Sequence, residues 1–154
     1  MKKYICSILF LTFAFINFSY GQGQTHVITL EVQTQQIAKP DLEPFCSFGQ
    51  DQSISNEDFL IEVEPGDIIR WNAVSADAPG TDVVQITGIN HASGANFFGA
   101  PGLNNNGQGN FVMGFINSGN PGEIQKYDIR FKVFNNGVQR NGTFIIDPKI
   151  KIKN

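Results

Sequence analysis

Between Val83 and Gly122 the chain carries no Asp, Glu, Lys or Arg. A forty-residue stretch without a full charge leaves His91 as its single titratable side chain for acid–base work. Histidine is scarce throughout: there are two, His26 and His91. Cysteine is equally scarce, with Cys6 and Cys46 alone. Cys6 lies at the start of the apolar stretch, not after it, so it does not fit a lipid-anchor site. Once a leader containing Cys6 is removed, Cys46 is the single cysteine, which excludes an internal disulfide in the mature chain. Flanked by Phe45 and Phe48, it reads as a small buried hydrophobe. There is no Gly-x-Ser-x-Gly elbow for a serine hydrolase, no spaced acidic repeat of a calcium loop, no heptad and no internal repeat. The acidic residues Asp51, Glu57, Asp58, Asp77 and Asp82 are scattered.

What is present begins with Met1-Lys2-Lys3, an apolar run from Tyr4 to Phe18, and small or polar residues at Ser19, Gly21 and Gln22. A basic start, short apolar centre and small-residue exit predict a secretory signal peptide over 1–21. The run is shorter than the ~20 residues a membrane span needs. Cleavage there leaves 133 residues, 22–154, the length of one ordinary domain. Nine basic against fourteen acidic side chains then give a net charge of −5. That balance excludes nucleic acid as the expected partner. A secreted or periplasmic protein is expected.

The chain is organised around Glu62-Val63-Glu64-Pro65-Gly66-Asp67-Ile68-Ile69-Arg70-Trp71-Asn72, which reads strand, turn, strand. Proline presets the second position of the turn, and glycine takes the positive φ of the third. Trp71, the single tryptophan, shares a face with Ile69 and is expected in the core. Alternation predicts further strands over His26–Thr34, Phe59–Glu64, Asp82–Ile89, Phe111–Ile116, Tyr127–Val133 and Thr143–Lys153. Gln35–Asn56 reads as a long connection with a short helical turn near Phe45. Asn90–Gly122 reads as mostly Gly- and Asn-rich loop. Asn136-Gly137 and Asn141-Gly142 are hairpin-type dipeptides, and Pro148 belongs at a bulge or an edge. Short strands punctuated by Gly and Pro predict an all-β, antiparallel Greek-key sandwich.

The segment Val63–Asn72 resembles the middle strands of cupredoxins, the blue-copper fold, and Gly142-Thr143-Phe144-Ile145-Ile146 resembles that family's closing strand. The tail Thr143–Ile152 also resembles the ends of secreted bacterial proteins. The cupredoxin resemblance implies a copper-carrying sandwich, but this sequence departs from the family at the copper ligands. A type 1 site takes two His, a Cys and usually a Met. Ala73–Asp82, where the first His belongs, has none. Phe134–Asn141, the loop that carries the soft ligands, has none either. A cupredoxin-like sandwich without type 1 copper, and without another cofactor, is the expectation.

Within the uncharged stretch stand nine Gly, eight Asn, and Phe97, Phe98, Phe111 and Phe115. Amides that both donate and accept, set beside aromatic rings, suit a neutral polar ligand; turn formation by Asn and Gly explains the same composition. The candidate ligand-binding residues are Asn90, His91, Asn96, Phe97 and Phe98. They would serve a non-catalytic extracellular module contacting a glycan or another protein. The alternative is a copper-binding protein or oxidase using His26 and His91, with Cys46 as a third ligand. A histidine-brace oxygenase would need His26 as the N-terminus, four residues beyond the expected cleavage exit. Glu62 and Glu64 share a strand face and could pair as hydrolase carboxylates; a solvated strand face explains them too. Asn141-Gly142-Thr143 fits a glycosylation acceptor as well as a turn.

Overall fold

A computed structural model describes residues 23–107 and 109–154; the expected leader lies outside the described residues. The chain is all-β. Eleven strands and one 3-10 turn follow in order: β1 (Thr25–Val32), the turn Glu43–Phe45, β2 (Cys46–Ser47), β3 (Leu60–Val63), β4 (Ile68–Ser75), β5 (Val83–Gly94), β6 (Gly102–Asn104), β7 (Phe111–Phe115), β8 (Ile124–Asn135), β9 (Val138–Gln139), β10 (Phe144–Ile146) and β11 (Lys149–Ile152). One sheet has the order β2-β1-β4-β7. The second runs β3-β11-β8-β5-β6, with β9 and β10 also paired to β8. Among the described residues no helix is long and apolar enough to cross a membrane.

The expectation of a purely antiparallel sandwich is corrected: the sheets are mixed. β1 runs parallel to β4, with Ile28 beside Trp71, and β3 runs parallel to β11, with Ile61 beside Ile150. Parallel neighbours need long crossovers. Here the chain between β1 and β4 visits the other sheet as β3 before returning. The Pro65–Gly66 turn makes that return. Asp67 N donates to Glu64 O at 3.0 Å and Gly66 has φ +101°, the type II geometry that the dipeptide predicts. The turn therefore carries the chain from one sheet to the other. Gly23 packs on it so closely that a Cβ would lie 1.8 Å from Gly66 O.

Asn136 and Gly137, both at positive φ, form the β8–β9 hairpin turn. Asn141-Gly142 does not form a hairpin. β9 and β10 lie successively along the same strand, β8, so the dipeptide is an irregularity within one edge. Pro148 follows β10 on that line; its carbonyl accepts from Tyr127 N at 3.1 Å, and it has no N–H to return.

The core lies between the sheets. Leu30, Ile69, Trp71, Ile86, Ile89, Tyr127, Ile129, Phe131, Val133 and Ile150 are fully buried. Trp71 Nε1 donates to Tyr127 Oη across the gap at 3.1 Å, so the two largest inward rings carry their polar atoms as a satisfied pair. Burial pushes the Tyr127 phenol well above its ordinary range. Glu62 of β3 and Glu64 just past it stand on the solvent side and meet Lys151 of β11 (2.8 Å) and Lys153 just past it (3.3 Å). The parallel register places these opposite charges side by side, which makes the carboxylates a solvated ion-pair row.

Candidate binding surface

The structure separates the residues of the uncharged stretch. β5 extends to Gly94, so Asn90 and His91 belong to a strand and not to a loop. Two bulges, at Thr87 and Ala92, break its alternation against β8. His91 pairs with Tyr127 and shares its inward side. Its Nδ1 is buried and has no hydrogen-bond partner among the described residues. Asn96 is exposed, and its amide donates to Ala100 O at 3.0 Å, closing its own loop. Phe97 and Phe98 are 1% and 4% exposed. The expectation that these rings form a contact surface is corrected, for two physical reasons. Phe97 N donates to the buried Oε1 of Gln125 at 2.7 Å, which pulls the loop inward. Phe98 meets Trp71 edge-on at 5.6 Å. Both rings close one end of the sandwich.

The other two phenylalanines go the opposite way. β7 is an edge strand of the four-stranded sheet. Its inward positions are Val112 and Gly114, and its outward positions are Phe111, Met113 and Phe115. A half-buried strand normally turns its large apolar side chains to the core. β7 keeps Val112 inward but inverts this at Gly114, where Trp71 and Leu103 already fill the space beneath it. A Cβ on Gly114 would stand 3.0 Å from the indole ring. The large residues are left outside, with Met113 48% and Phe115 50% exposed.

The neighbouring strands extend this patch. Ile68 of β4 lies beside Phe115, and Arg70 beside Met113. On the far side of β4, Val27 of β1 lies beside Arg70 and is exposed. The one charge in the patch, Arg70, lies over the Phe111 ring with its guanidinium carbon 4.2 Å from the ring centroid. Its Nε also donates to Asn72 Oδ1 at 3.0 Å. Along the free edge of β7 a groove of about 190 Å³ runs between Asn104–Asn106 and Phe111–Met113. The amide-and-aromatic pairing expected at Asn96–Phe98 is thus found here instead. Alternation of apolar residues over Phe111–Phe115 was the signal available in the sequence.

A larger cleft, about 480 Å³, lies beside the 3-10 turn and is lined by Glu31, Asp41, Glu43 and Asp51 together with Phe45 and Cys46. Its carboxylates are occupied in shaping their own loop. Glu43 accepts from Asn56 N at 2.8 Å, Asp41 from Glu43 N at 3.0 Å, and Asp51 from Ser53 N at 2.8 Å. The Cys46 thiol is pushed up to about 12, by burial first and by the charge of Glu43 second. Cys46 is buried and free.

His26, His91 and Cys46 are not brought together. His26 Nε2 donates to Asp67 Oδ2 at 2.7 Å, at the start of β1. Cys46 pairs with Val32 at the other end of that strand, about 20 Å away at a strand's rise per residue. His91 belongs to the second sheet. Among the described residues no three His, Cys, Asp or Glu side chains gather as a metal would require.

Buried Asp67 and Asp82, and exposed Asp77 beside them, have structural work. Asp67 takes N–H bonds from Gln24 (2.8 Å) and Glu64 (2.9 Å) besides the His26 ring. Burial opposes its ionisation, but these donors together hold the carboxyl below its usual range. Asp77 and Asp82 both reach the Thr34 hydroxyl at 2.8 Å. Asp82 is held low first by the Asn135 amide, at 2.6 Å, which ties the β8–β9 hairpin to the end of β1.

Compared with known protein families and with curated proteins, the sequence matches none. Among solved structures, the fold is similar to the inclusion body protein PixA of Burkholderia cenocepacia J2315. The TM-score is 0.60 at 13% identity, and the match covers 89% of this chain and 99% of that one. At that identity the likeness speaks for the fold alone.

Proposed function

We propose that this chain is an exported, non-catalytic binding module of cupredoxin-like, Greek-key type, which contacts its partner through the outward face of β7. Export is supported by the basic-apolar-small pattern of residues 1–22. The observation that carries the contact surface is the inversion of β7. Three large apolar side chains, Phe111, Met113 and Phe115, face outward on an edge strand whose core side holds only Val112 and a glycine. Exposed apolar patches of this kind, rimmed by polar residues, mark interaction sites. The rim here is uncharged amide, from Asn104, Asn105 and Asn106. An uncharged partner surface fits it: a neutral glycan or the apolar face of an extracellular protein.

The test is binding of the purified protein to an array of neutral glycans and immobilised extracellular proteins, beside the variant Phe111→Ser plus Phe115→Ser. The expected result is binding lost in the variant. Binding that persists in the variant removes β7 as the contact surface.

A further inference from the structure

We infer that the partner of β7 is a second copy of this chain, paired edge to edge across a two-fold axis at Met113. The inference rests on the contact-surface reading above and names its occupant.

The direction of the backbone groups comes first. Ile116 N donates to Asp67 O at 2.9 Å, so position 116 faces β4. Alternation along an antiparallel pair then turns Val112 and Gly114 toward β4 as well. The N–H and C=O groups of Phe111, Met113 and Phe115 face the open edge. Among the described residues no hydrogen bond reaches them. A row of unpaired strand groups is a template for another strand unless it is blunted. The usual defences are charge, proline or a covering segment. β7 and the whole stretch Val83–Gly122 have no charge, and the prolines at 101 and 121 lie outside β7. The segment beside the edge, Asn104–Asn106, stands off across a groove and, among the described residues, gives β7 no hydrogen bond.

The strand is also complementary to itself. Antiparallel pairing centred on Met113 sets Phe111 against Phe115 of the other copy, and Phe115 against Phe111. Each of these residues has its N–H and C=O turned to the edge, so every free group finds a partner. On the inward side Val112 then faces Gly114, large against small. On the outward side two Phe–Phe cross-strand pairs flank Met113 and its symmetry mate, and aromatic pairs of this kind stabilise a sheet. Two four-stranded sheets become one continuous sheet.

Charge favours the same occupant. A chain of net charge −5 without its leader repels its own copy in general, but not through this edge, where neither copy carries a carboxylate. Each Arg70 guanidinium lies over its own Phe111, and the two Phe111 residues are offset by four positions along the paired strands, about 14 Å, beyond the screening length of physiological salt. A charged partner would find no opposite charge along β7 except Arg70, which already sits over Phe111.

The test uses the register. In a hydrogen-bonded antiparallel pair facing Cα atoms are about 5.5 Å apart, within disulfide range. Met113→Cys should therefore oxidise to a symmetric disulfide dimer, while Phe111→Cys, set opposite Phe115, should not. Buried Cys46 stays out of the reaction, and the unsubstituted protein serves as the blank. Sedimentation should give twice the chain mass for the unsubstituted protein and the single mass for Met113→Lys. Val27→Lys, on the same face but two strands from the edge, should stay at twice the mass. Tryptophan fluorescence of the buried Trp71 confirms that each variant is folded. A dimer that Val27→Lys disperses, or that cross-links equally through Phe111→Cys, overturns the edge pairing. A monomer overturns it as well, whether its Met113→Cys thiol reacts freely with a maleimide or is shielded by another segment. A monomer whose array binding is still lost in the double Phe→Ser variant retires the second copy and leaves the contact surface standing.

Discussion

Gly114 lies flat against the indole of Trp71: a Cβ at that position would stand 3.0 Å from Cζ3 of the ring and 2.6 Å from Cδ1 of Leu103. This one approach sets the character of β7. The indole is fully buried and held by its bond to Tyr127, so it cannot withdraw. The strand above it must present its smallest residue inward and its largest residues outward. A methyl group is the smallest test of that arrangement. Gly114→Ala should cost about 1–3 kcal/mol, the usual penalty for overpacking a filled core. The half-exposed Leu103 can yield and Trp71 cannot, so the variant should also shift Trp71 emission. Urea unfolding followed by that emission measures both. An Ala variant as stable as the parent, with unchanged emission, would show that β7 is free to ride outward.

The acid dependence follows from Asp67, whose two oxygens serve the start of β1, the end of β3 and the His26 ring at once. Its folded value lies below the usual carboxylate value. The sign of the linkage is then fixed: the contribution is present above the unfolded pKa, about 4, and is lost as pH falls through the lower folded value. Asp77 and Asp82 shift the same way, so stability should fall below about pH 4 as several carboxylates protonate together. Asp67→Asn keeps one acceptor oxygen and loses the charge. It should be less stable than the parent at pH 7, with the gap closing as the pH is taken from 7 to below about 4. Denaturant midpoints across that range decide it. A gap that widens in acid would mean that Asp67 does not carry the shift.

Much of this architecture can be read from local signals in the sequence. Pro65-Gly66 marks a type II turn, Asn136-Gly137 a hairpin, and Ile69 with Trp71 a core face, because each depends on a few neighbouring residues and their φ preferences. The parallel pairing of β1 with β4 cannot be read in this way. It joins residues about forty positions apart, and no turn dipeptide encodes it. β5 reads too short because its bulges at Thr87 and Ala92 each insert one residue and reset the two-residue period, so Asn90–Gly94 resembles loop. The misplaced contact surface has a related cause. Phe97 and Phe98 are consecutive, and in an extended strand one of them would point out. They lie in a turn pinned by Gln125, which buries both. Phe111 and Phe115 keep strict strand spacing, but which side of that strand is inside is decided by Trp71, from another strand.

Cys46 offers a direct measure of how firmly the acidic cleft is closed. Its thiol lines that cleft yet is buried, and it is pushed up to about 12 by burial and by the neighbouring Glu43 carboxylate. The thiolate is the reacting form. At pH 8 a thiol with a value near 12 is ionised to about one part in 10⁴, against roughly a quarter for a free cysteine. Reaction with a disulfide reagent at pH 8 should therefore be slower than for the unfolded chain by more than about 10³-fold. What reaction there is would report opening of the β2 edge. Glu43→Gln separates the two causes. It removes the charge but keeps one oxygen for Asn56 N, so it should speed native labelling a few-fold, through a larger thiolate fraction. A variant whose rate rises with pH as steeply as the parent's, but is uniformly faster, has that electrostatic origin. A rate independent of pH would mean instead that the loop has come loose, with labelling limited by opening and not by ionisation.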